Sequence, residues 1–207
     1  MLMNSYKIAN AWYPDQLPFK NLINSDTTVK PGELKKDNIL VLWGGEDIGT
    51  EIYNQKPNKY VQAYKKSNRD KEEITLINEA IALNIPILGI CRGAQLLCCL
   101  TGGSLIQHIE NHVTDTHNVV IKDKGIYQTN SCHHQMMIPT KDQKILAFAH
   151  ETVGITENNK FFFTNIVPEI VHFPKIHALG IQGHPEWSGM PKPFNDYCEQ
   201  LISKLIL

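Results

Sequence analysis

The sequence predicts an α/β protein in three layers, with a mostly parallel central sheet, helices on both faces and a small antiparallel strand region. Two observations support this prediction. Between residues 38 and 100, short runs of branched apolar residues alternate with helical patterns, as in parallel sheets that are buried on both faces. After residue 103, strand formers dominate and are separated by short polar stretches, which favours antiparallel hairpins.

The N-terminal part shows the weakest pattern. Tyr6 to Trp12 is compatible with a first strand, and prolines at 14, 18 and 31 then predict irregular structure as far as Leu34. The first clear buried strand is Asn38 to Trp43, which ends in Gly44-Gly45. Two glycines at the carboxyl end of a parallel strand let the backbone approach a ligand, although a plain turn has the same pattern.

The segment that follows leads into a strand and a helix with a cysteine between them. Tyr53 to Asp70 is polar and predicts a surface loop, whereas Asp70 to Asn84 has the apolar spacing of an amphipathic helix. Ile85 to Ile90 then predicts a buried strand, and Gln95 to Leu100 a buried helix. Cys91 lies at the junction of these two elements.

A nucleophile at such a junction is typical of a nucleophile elbow, in which a sharp turn presents the side chain to substrate. The N–H groups of the following helix favour a thiolate and can hold the oxyanion of a tetrahedral intermediate. The alternative is that Cys91 is an ordinary buried cysteine.

The second half of the chain predicts mainly strands, with one closing helix at Phe194 to Ile206. A final strand, Ala178 to Gln182, leads directly into Gly183-His184-Pro185-Glu186. The other predicted strands are Val119 to Lys122, Tyr127 to Cys132, Lys144 to His150, Thr152 to Thr156, Phe161 to Thr164 and Ile166 to His172.

Length and composition narrow the possible classes of protein. The 207 residues fit one domain covering 1–207, and the net charge of −1 with mixed signs does not favour a nucleic-acid or membrane partner. The five cysteines have no spacing that indicates a zinc site or a disulfide framework, and their odd number favours a cytoplasmic location. No apolar run is long enough to span a bilayer.

Among the nine histidines, His184 has the strongest signal. It follows a buried strand, Pro185 fixes the local backbone, and Glu186 lies two residues later, so the carboxylate could orient an imidazole directed at Cys91. His108, His112, His117, His150, His172 and His177 have no comparable signal. The stretch from Ser131 to Gln135 could bind the amino-acid end of a substrate or be a polar turn.

Six short motifs occur in the order of a known family. They are Gly44-Gly45 with Asp47, Ser67-Asn68-Arg69-Asp70, Gly89-Ile-Cys91-Arg-Gly93-x-Gln95, Thr101-Gly-Gly-Ser104-Leu105, Asn130-Ser131-x-His133 and Gly180-Ile-Gln182-x-His184-Pro185-Glu186-Trp187. Over residues 38–187 the chain resembles the class I glutamine amidotransferase-like superfamily, which has a flavodoxin-like fold. It resembles most closely the γ-glutamyl-γ-aminobutyrate hydrolase branch, peptidase family C26.

The resemblance implies a catalytic triad of Cys91 as nucleophile, His184 as general base and then acid, and Glu186 orienting His184. It also implies an oxyanion hole from the backbone N–H groups of Gly45 and Arg92. It places Gln95, Ser131 and His133 near the α-groups of a γ-glutamyl substrate, and it implies no metal or organic cofactor. The chain departs from the family pattern at two positions beside the site, where Trp43 replaces a frequent proline and Gly183 replaces a frequent large residue.

The expected function is therefore hydrolysis of γ-glutamyl amides, such as glutamine or a γ-glutamyl amine, by the chain alone. The alternative is a glutaminase subunit that supplies ammonia to a synthase or ligase on another chain. A third interpretation, a γ-glutamyl-binding module without turnover, is disfavoured because Cys91, His184 and Glu186 are all present. The sequence indicates neither the amine side of the substrate nor the oligomeric state.

Overall fold

The computed structural model describes residues 3–7, 19, 21–61, 63–113, 116–150, 152–155, 158 and 160–207. The helices in this part of the chain are α1 (Asn68–Leu83), α2 (Arg92–Leu100) and α3 (Lys192–Leu205), with short 3-10 turns at Thr50–Tyr53 and Pro174–Ile176. The strands are β1 (Met3–Lys7), β2 (Ile23–Thr28), β3 (Asn38–Leu42), β4 (Ile87–Ile90), β5 (Ser104–Ile106), β6 (His108–Ile109), β7 (Thr116–Ile121), β8 (Gly125–Asn130), β9 (Met136–Ile138), β10 (Lys144–Ala149), β11 (Thr152–Ile155), β12 (Phe161–Thr164), β13 (Val167–Phe173) and β14 (Ala178–Ile181). None of the helices described here combines the length and the apolar character needed to cross a bilayer.

Nine strands form one central sheet in the order β2-β1-β3-β4-β14-β13-β10-β7-β8. The strands from β2 to β14 pair in parallel. Those from β14 to β8 pair antiparallel. The predicted α/β class and its parallel strands are confirmed, and most of the antiparallel region continues the same sheet. Two small sheets, β12-β11-β6 and β5-β9, complete the strand pairing of the described residues.

The strands β3, β4 and β14 form the centre of the molecule, and every residue in them is buried. Their sequences are almost wholly aliphatic, as expected for parallel strands covered on both faces. Helix α2 packs on all three strands. The carboxyl ends of β4 and β14 are adjacent, so Cys91 and His184 follow neighbouring strands at the same edge of the sheet.

Helix α1 begins with a capping box. The Ser67 hydroxyl accepts a hydrogen bond from the Asp70 N–H at 3.0 Å, and the Asp70 carboxylate accepts one from the Ser67 N–H at 2.8 Å. The helix ends at Leu83, and the left-handed backbone conformation of Asn84 caps its last turn. The Ser67-Asn68-Arg69-Asp70 motif therefore fixes where α1 begins.

The prediction of irregular structure up to Leu34 is wrong for Ile23–Thr28, which forms strand β2 at one edge of the sheet. This strand is polar apart from Ile23, so it lacks the apolar run that identifies a buried strand. Its parallel backbone pairing with β1 requires no such run. Residues 8–12 of the predicted strand Tyr6 to Trp12, and Thr156 of a later one, lie outside the described residues.

Candidate active site

Cys91 lies between β4 and α2, on a sharp turn of the backbone. Its φ of 48° and ψ of −106° are unusual for a residue with a side chain. Its N–H donates to the Ile181 carbonyl at 2.7 Å, which fixes the turn to the end of β14. Helix α2 begins at the next residue, Arg92, so free N–H groups of a helix N-terminus lie beside the sulfur.

His184 is fixed in place by hydrogen bonds on three sides. Its ring Nδ1 lies 2.7 Å from a Glu186 carboxylate oxygen, which only accepts, so Nδ1 carries the proton of this hydrogen bond. Asn130 holds the backbone of His184, accepting from its N–H at 2.7 Å and donating to its carbonyl at 2.8 Å. Trp187 stacks on the ring with a centroid distance of 4.0 Å. The ring is therefore oriented with Nε2 directed away from Glu186.

The cysteine and the histidine approach each other beside Gly44. A Cβ placed on Gly44 would lie 2.8 Å from His184 Cε1 and 3.6 Å from Cys91 Cβ, so only glycine leaves room for this pair. Burial lowers the pKa of His184, but the adjacent Cys91 sulfur and the Glu186 carboxylate outweigh this effect and raise the pKa to about 10. The imidazole of His184 therefore favours its protonated form.

Three of the other cysteines lie in a different environment. Burial raises the pKa of the Cys98 thiol to about 12 and raises the pKa values of Cys99 and Cys198 well above the usual range. These thiols remain protonated near neutral pH and are poor nucleophiles. Cys132 is exposed.

A group of buried charged residues adjoins Cys91, and we call it the Arg92 cluster: Arg69, Asp70, Glu73 and Arg92. Arg92 is 1% exposed and its guanidinium contacts both the Asp70 and the Glu73 carboxylates. Arg69 donates to Glu73 at 3.0 Å and to the Trp43 carbonyl at 2.8 Å. The cluster thus connects α1 to the start of α2 and to the end of β3. The two backbone N–H groups expected in an oxyanion hole belong to Arg92, at the start of α2, and to Gly45, shortly after β3.

Gln182, which belongs to the motif from Gly180 to Trp187, contacts Cys91. Gln182 donates from Nε2 to Cys91 Sγ at 3.4 Å, and its Oε1 accepts from Gln95 Nε2 at 3.2 Å. The resemblance places Gln95 near substrate, and in the structure Gln182 links the Gln95 side chain to Cys91. The only indication of this contact in the sequence is the position of Gln182 between β14 and His184.

The segment from Asn130 to Gln135 forms another wall of the site. The carbonyl of Cys132 lies 3.9 Å from Cys91 Sγ. The two side chains predicted to bind substrate point elsewhere, since Ser131 Oγ donates to the His112 carbonyl at 2.7 Å and His133 Nε2 lies 3.6 Å from Glu169. The structure therefore places the backbone of this segment, rather than these side chains, next to the sulfur.

The departure from the family pattern at Gly183 has a local cause. A Cβ on Gly183 would lie 2.5 Å from Thr129 Oγ1 and 3.0 Å from Asn130 Oδ1. Glycine therefore lets the end of β8 approach closely enough for Asn130 to hold the His184 backbone. Trp43, the other departure, is buried, and its carbonyl accepts from Arg69.

The features above bring a cysteine, a histidine and a carboxylate together at one edge of an α/β sheet. The family model described as Peptidase C26 matches residues 22–186. The chain belongs to the peptidase C26 family, within the glutamine amidotransferase-like proteins.

Named relatives support this assignment. The chain is 30% identical over 167 residues to the glutamine amidotransferase-like protein YvdE of Lactococcus lactis, a match that covers 71% of this chain and 65% of YvdE. It is 28% identical over 147 residues to the γ-glutamyl-γ-aminobutyrate hydrolase of Escherichia coli O157:H7, covering 58% of this chain and 53% of that enzyme. The fold matches a glutamine amidotransferase from Thermotoga maritima with a TM-score of 0.62 and 19% identity, over 99% of this chain and 84% of that one.

Proposed function

We propose that the protein is a cysteine-dependent hydrolase of γ-glutamyl amide bonds, which releases glutamate and an amine. The observation that carries this proposal is the constellation at the ends of β4 and β14, where Cys91 on a strained turn adjoins a His184 ring oriented by Glu186. A nucleophile, a base and an orienting carboxylate are the three groups that covalent acyl transfer requires.

The reaction begins with attack of the Cys91 thiolate on the γ-amide carbonyl of the substrate. The negative charge that develops on the carbonyl oxygen is held by the backbone N–H groups of Arg92 and Gly45. Protonated His184 then gives its proton to the departing nitrogen, which leaves as an amine or ammonia. The C–N bond breaks and a glutamyl thioester on Cys91 remains.

Water completes the cycle. His184, now neutral, takes a proton from a water molecule that attacks the thioester carbonyl, and Cys91 leaves as a thiolate while glutamate is released. Glu186 holds the ring in the required orientation through both halves of the reaction. We place the glutamyl α-groups near Gln95 and the Ser131 to His133 segment, with the backbone of that segment as the closest contact.

The first test measures glutamate release by the purified chain from glutamine and from several γ-glutamyl amines. Cys91→Ala is expected to lower turnover by roughly 10³-fold or more, because the nucleophile is lost. Cys98→Ala is the matched control, since Cys98 is also buried and follows the same turn. Mass spectrometry of the chain during turnover should detect a glutamyl adduct on Cys91. Comparable loss of turnover in folded Cys98→Ala would show that the nucleophile is misassigned.

A second candidate function is a glutaminase subunit that passes ammonia to a synthase on another chain. The similarity to proteins called glutamine amidotransferase supports it. The same assay separates the two candidates: faster release from a γ-glutamyl amine than from glutamine, without any partner, favours the hydrolase. Turnover of glutamine only after a partner synthase is added favours the subunit.

A further inference from the structure

Four ionisable side chains that the proposed chemistry does not use directly meet beside the Asn130 to Gln135 segment. We call them the His/Glu cluster: His112, His117, His133 and Glu169. They come from the loop after β6, from β7, from the loop after β8 and from β13. The His112 ring centroid lies 4.8 Å from that of His117 and 5.0 Å from that of His133. His112 is 3%, His133 5% and Glu169 0% exposed, so water is largely excluded.

The tautomers of two rings follow from their backbone contacts. His112 Nδ1 lies 2.9 Å from the Glu110 carbonyl, and His133 Nδ1 lies 2.9 Å from the Gln135 carbonyl. Because a carbonyl only accepts, both Nδ1 atoms carry a proton, and in the neutral rings Nε2 presents a lone pair. A backbone carbonyl on one ring nitrogen is the usual arrangement of a histidine that binds a metal through the other.

The Nε2 atoms of these histidines lie near the carboxylate of Glu169. Glu169 Oε1 lies 3.0 Å from His117 Nε2 and 3.6 Å from His133 Nε2. Even so, within the described residues neither Glu169 oxygen, nor Nε2 of any of the three histidines, has a hydrogen-bond partner of acceptable geometry. Burial of a carboxylate without compensation costs several kcal/mol, so a positive charge among these atoms, from a metal ion or a protonated imidazole, would stabilise the arrangement.

The spacing of these atoms suits a small metal ion. The ligand atoms of His112, His133 and Glu169 all lie within 4.8 Å of one another. Bonds of about 2.0–2.1 Å in a tetrahedral site place neighbouring ligand atoms about 3.4 Å apart, close to the 3.6 Å that separates Glu169 Oε1 from His133 Nε2. Imidazole and carboxylate are ligands that zinc and its neighbours in the first transition row accept.

We propose that His112, His133 and Glu169 bind a divalent transition-metal ion of the zinc class. The three ligands are buried, and His117 Nε2 lies beside them, 3.0 Å from Glu169 Oε1. The ion would join three segments, namely the loops after β6 and β8 and strand β13, and hold the Asn130 to Gln135 wall in place. Two hydrogen bonds already join His112 to this wall, because the His112 carbonyl accepts from Ser131 Oγ at 2.7 Å and from the His133 N–H at 2.8 Å.

The rival explanation is a proton, because a protonated imidazole would also supply positive charge to Glu169. The experiment therefore measures metal directly. The purified native chain is dialysed against a chelator and then titrated with Zn²⁺ or Co²⁺. We expect one equivalent to bind, a higher melting temperature with the metal, and a Co²⁺ absorption spectrum of a four-coordinate site with nitrogen and oxygen ligands.

Variants identify the ligands. His112→Gln and Glu169→Gln should each weaken metal binding at least about 100-fold. His172→Gln is the matched control, since His172 is a buried histidine on the same strand as Glu169 and lies outside the cluster. Cys91→Ser should retain the metal, which excludes binding by the candidate nucleophile and His184.

Two results would overturn the proposal. One is that the folded native chain takes up no Zn²⁺ or Co²⁺. That result would mean that a protonated imidazole supplies the positive charge beside Glu169. The other is a Co²⁺ spectrum with sulfur ligands, which would place the ion at a cysteine. Both are read on the native chain, so they decide the question even if a variant fails to fold. Neither depends on turnover, so failure here is distinguishable from failure of the proposed hydrolase.

Discussion

Two buried polar clusters adjoin the candidate active site, and they balance charge in different ways. In the Arg92 cluster two guanidinium groups contact two carboxylates, so the charges cancel within the protein. In the His/Glu cluster three imidazoles surround a single carboxylate, and their geometry forms no hydrogen bond to it. Arginine keeps its proton, whereas histidine can exchange a proton for a metal. The first cluster thus balances its own charge, and the second depends on what it binds.

The largest effect is expected from Glu73→Ala, which deprives Arg92 and Arg69 of a shared partner. A buried ion pair that loses one member leaves an unpaired charge, so the free energy of unfolding should fall by about 3–5 kcal/mol. Urea denaturation measures this change. Asp196→Ala, which breaks an exposed pair with Lys192, is the control and should cost less than about 1 kcal/mol. Equal losses in the two variants would contradict the idea that the Arg92 cluster is a closed network.

A smaller effect is expected beside His184, where hydrogen bonds between uncharged groups hold the backbone. Asn130→Ala removes both contacts with the His184 backbone and leaves a buried N–H and carbonyl unpaired, which should cost about 2 kcal/mol. Turnover should also fall, because the His184 ring loses its position. Gln128→Ala, an exposed change on the same strand, should leave both unaltered. An unaffected turnover in folded Asn130→Ala would mean that Trp187 and Glu186 alone suffice to place the ring.

The smallest effect concerns pH. The pKa of His184 is raised to about 10, so its protonated ring stabilises the fold fully below the ordinary pKa of 6.5, and this contribution is lost as pH rises towards 10. Glu186→Gln removes one cause of the increase and should lower the pKa of His184. The difference in unfolding free energy between the native chain and this variant should therefore shrink between about pH 6.5 and 10. If the unfolding free energies of the two proteins changed in parallel with pH, Glu186 would not act through the protonation of His184.

The sequence predicted the elements that have a local signature. Asn38–Leu42, Ile87–Ile90 and Ala178–Ile181 are almost wholly apolar and were recognised as buried strands. The strand Ile23–Thr28 was missed because an edge strand can be polar and still pair through its backbone. The strands Ser104–Ile106 and Met136–Ile138 have only three residues each, which is too short for a periodic pattern.

The residues around the candidate site differ in the same way. Cys91, His184 and Glu186 follow strands directly, so their neighbours in sequence indicate their position. The His/Glu cluster could not be predicted, because its members are spread over four segments between residues 112 and 169 without the short spacing of a metal motif. Likewise, the Ser67 to Asp70 motif was visible, but its pairing with Arg92 depends on how α1 packs against α2.

The strained backbone at Cys91 has a consequence for how this chain would respond to selection or engineering. Glycine tolerates a φ of 48° and ψ of −106°, whereas any residue with a Cβ pays for it in stability. Cys91→Gly should therefore resist urea better than Cys91→Ala, although it removes one more carbon atom from a buried position. A screen for thermal resistance alone would favour the loss of Cys91, the proposed nucleophile, so any stabilised variant has to be chosen for turnover as well.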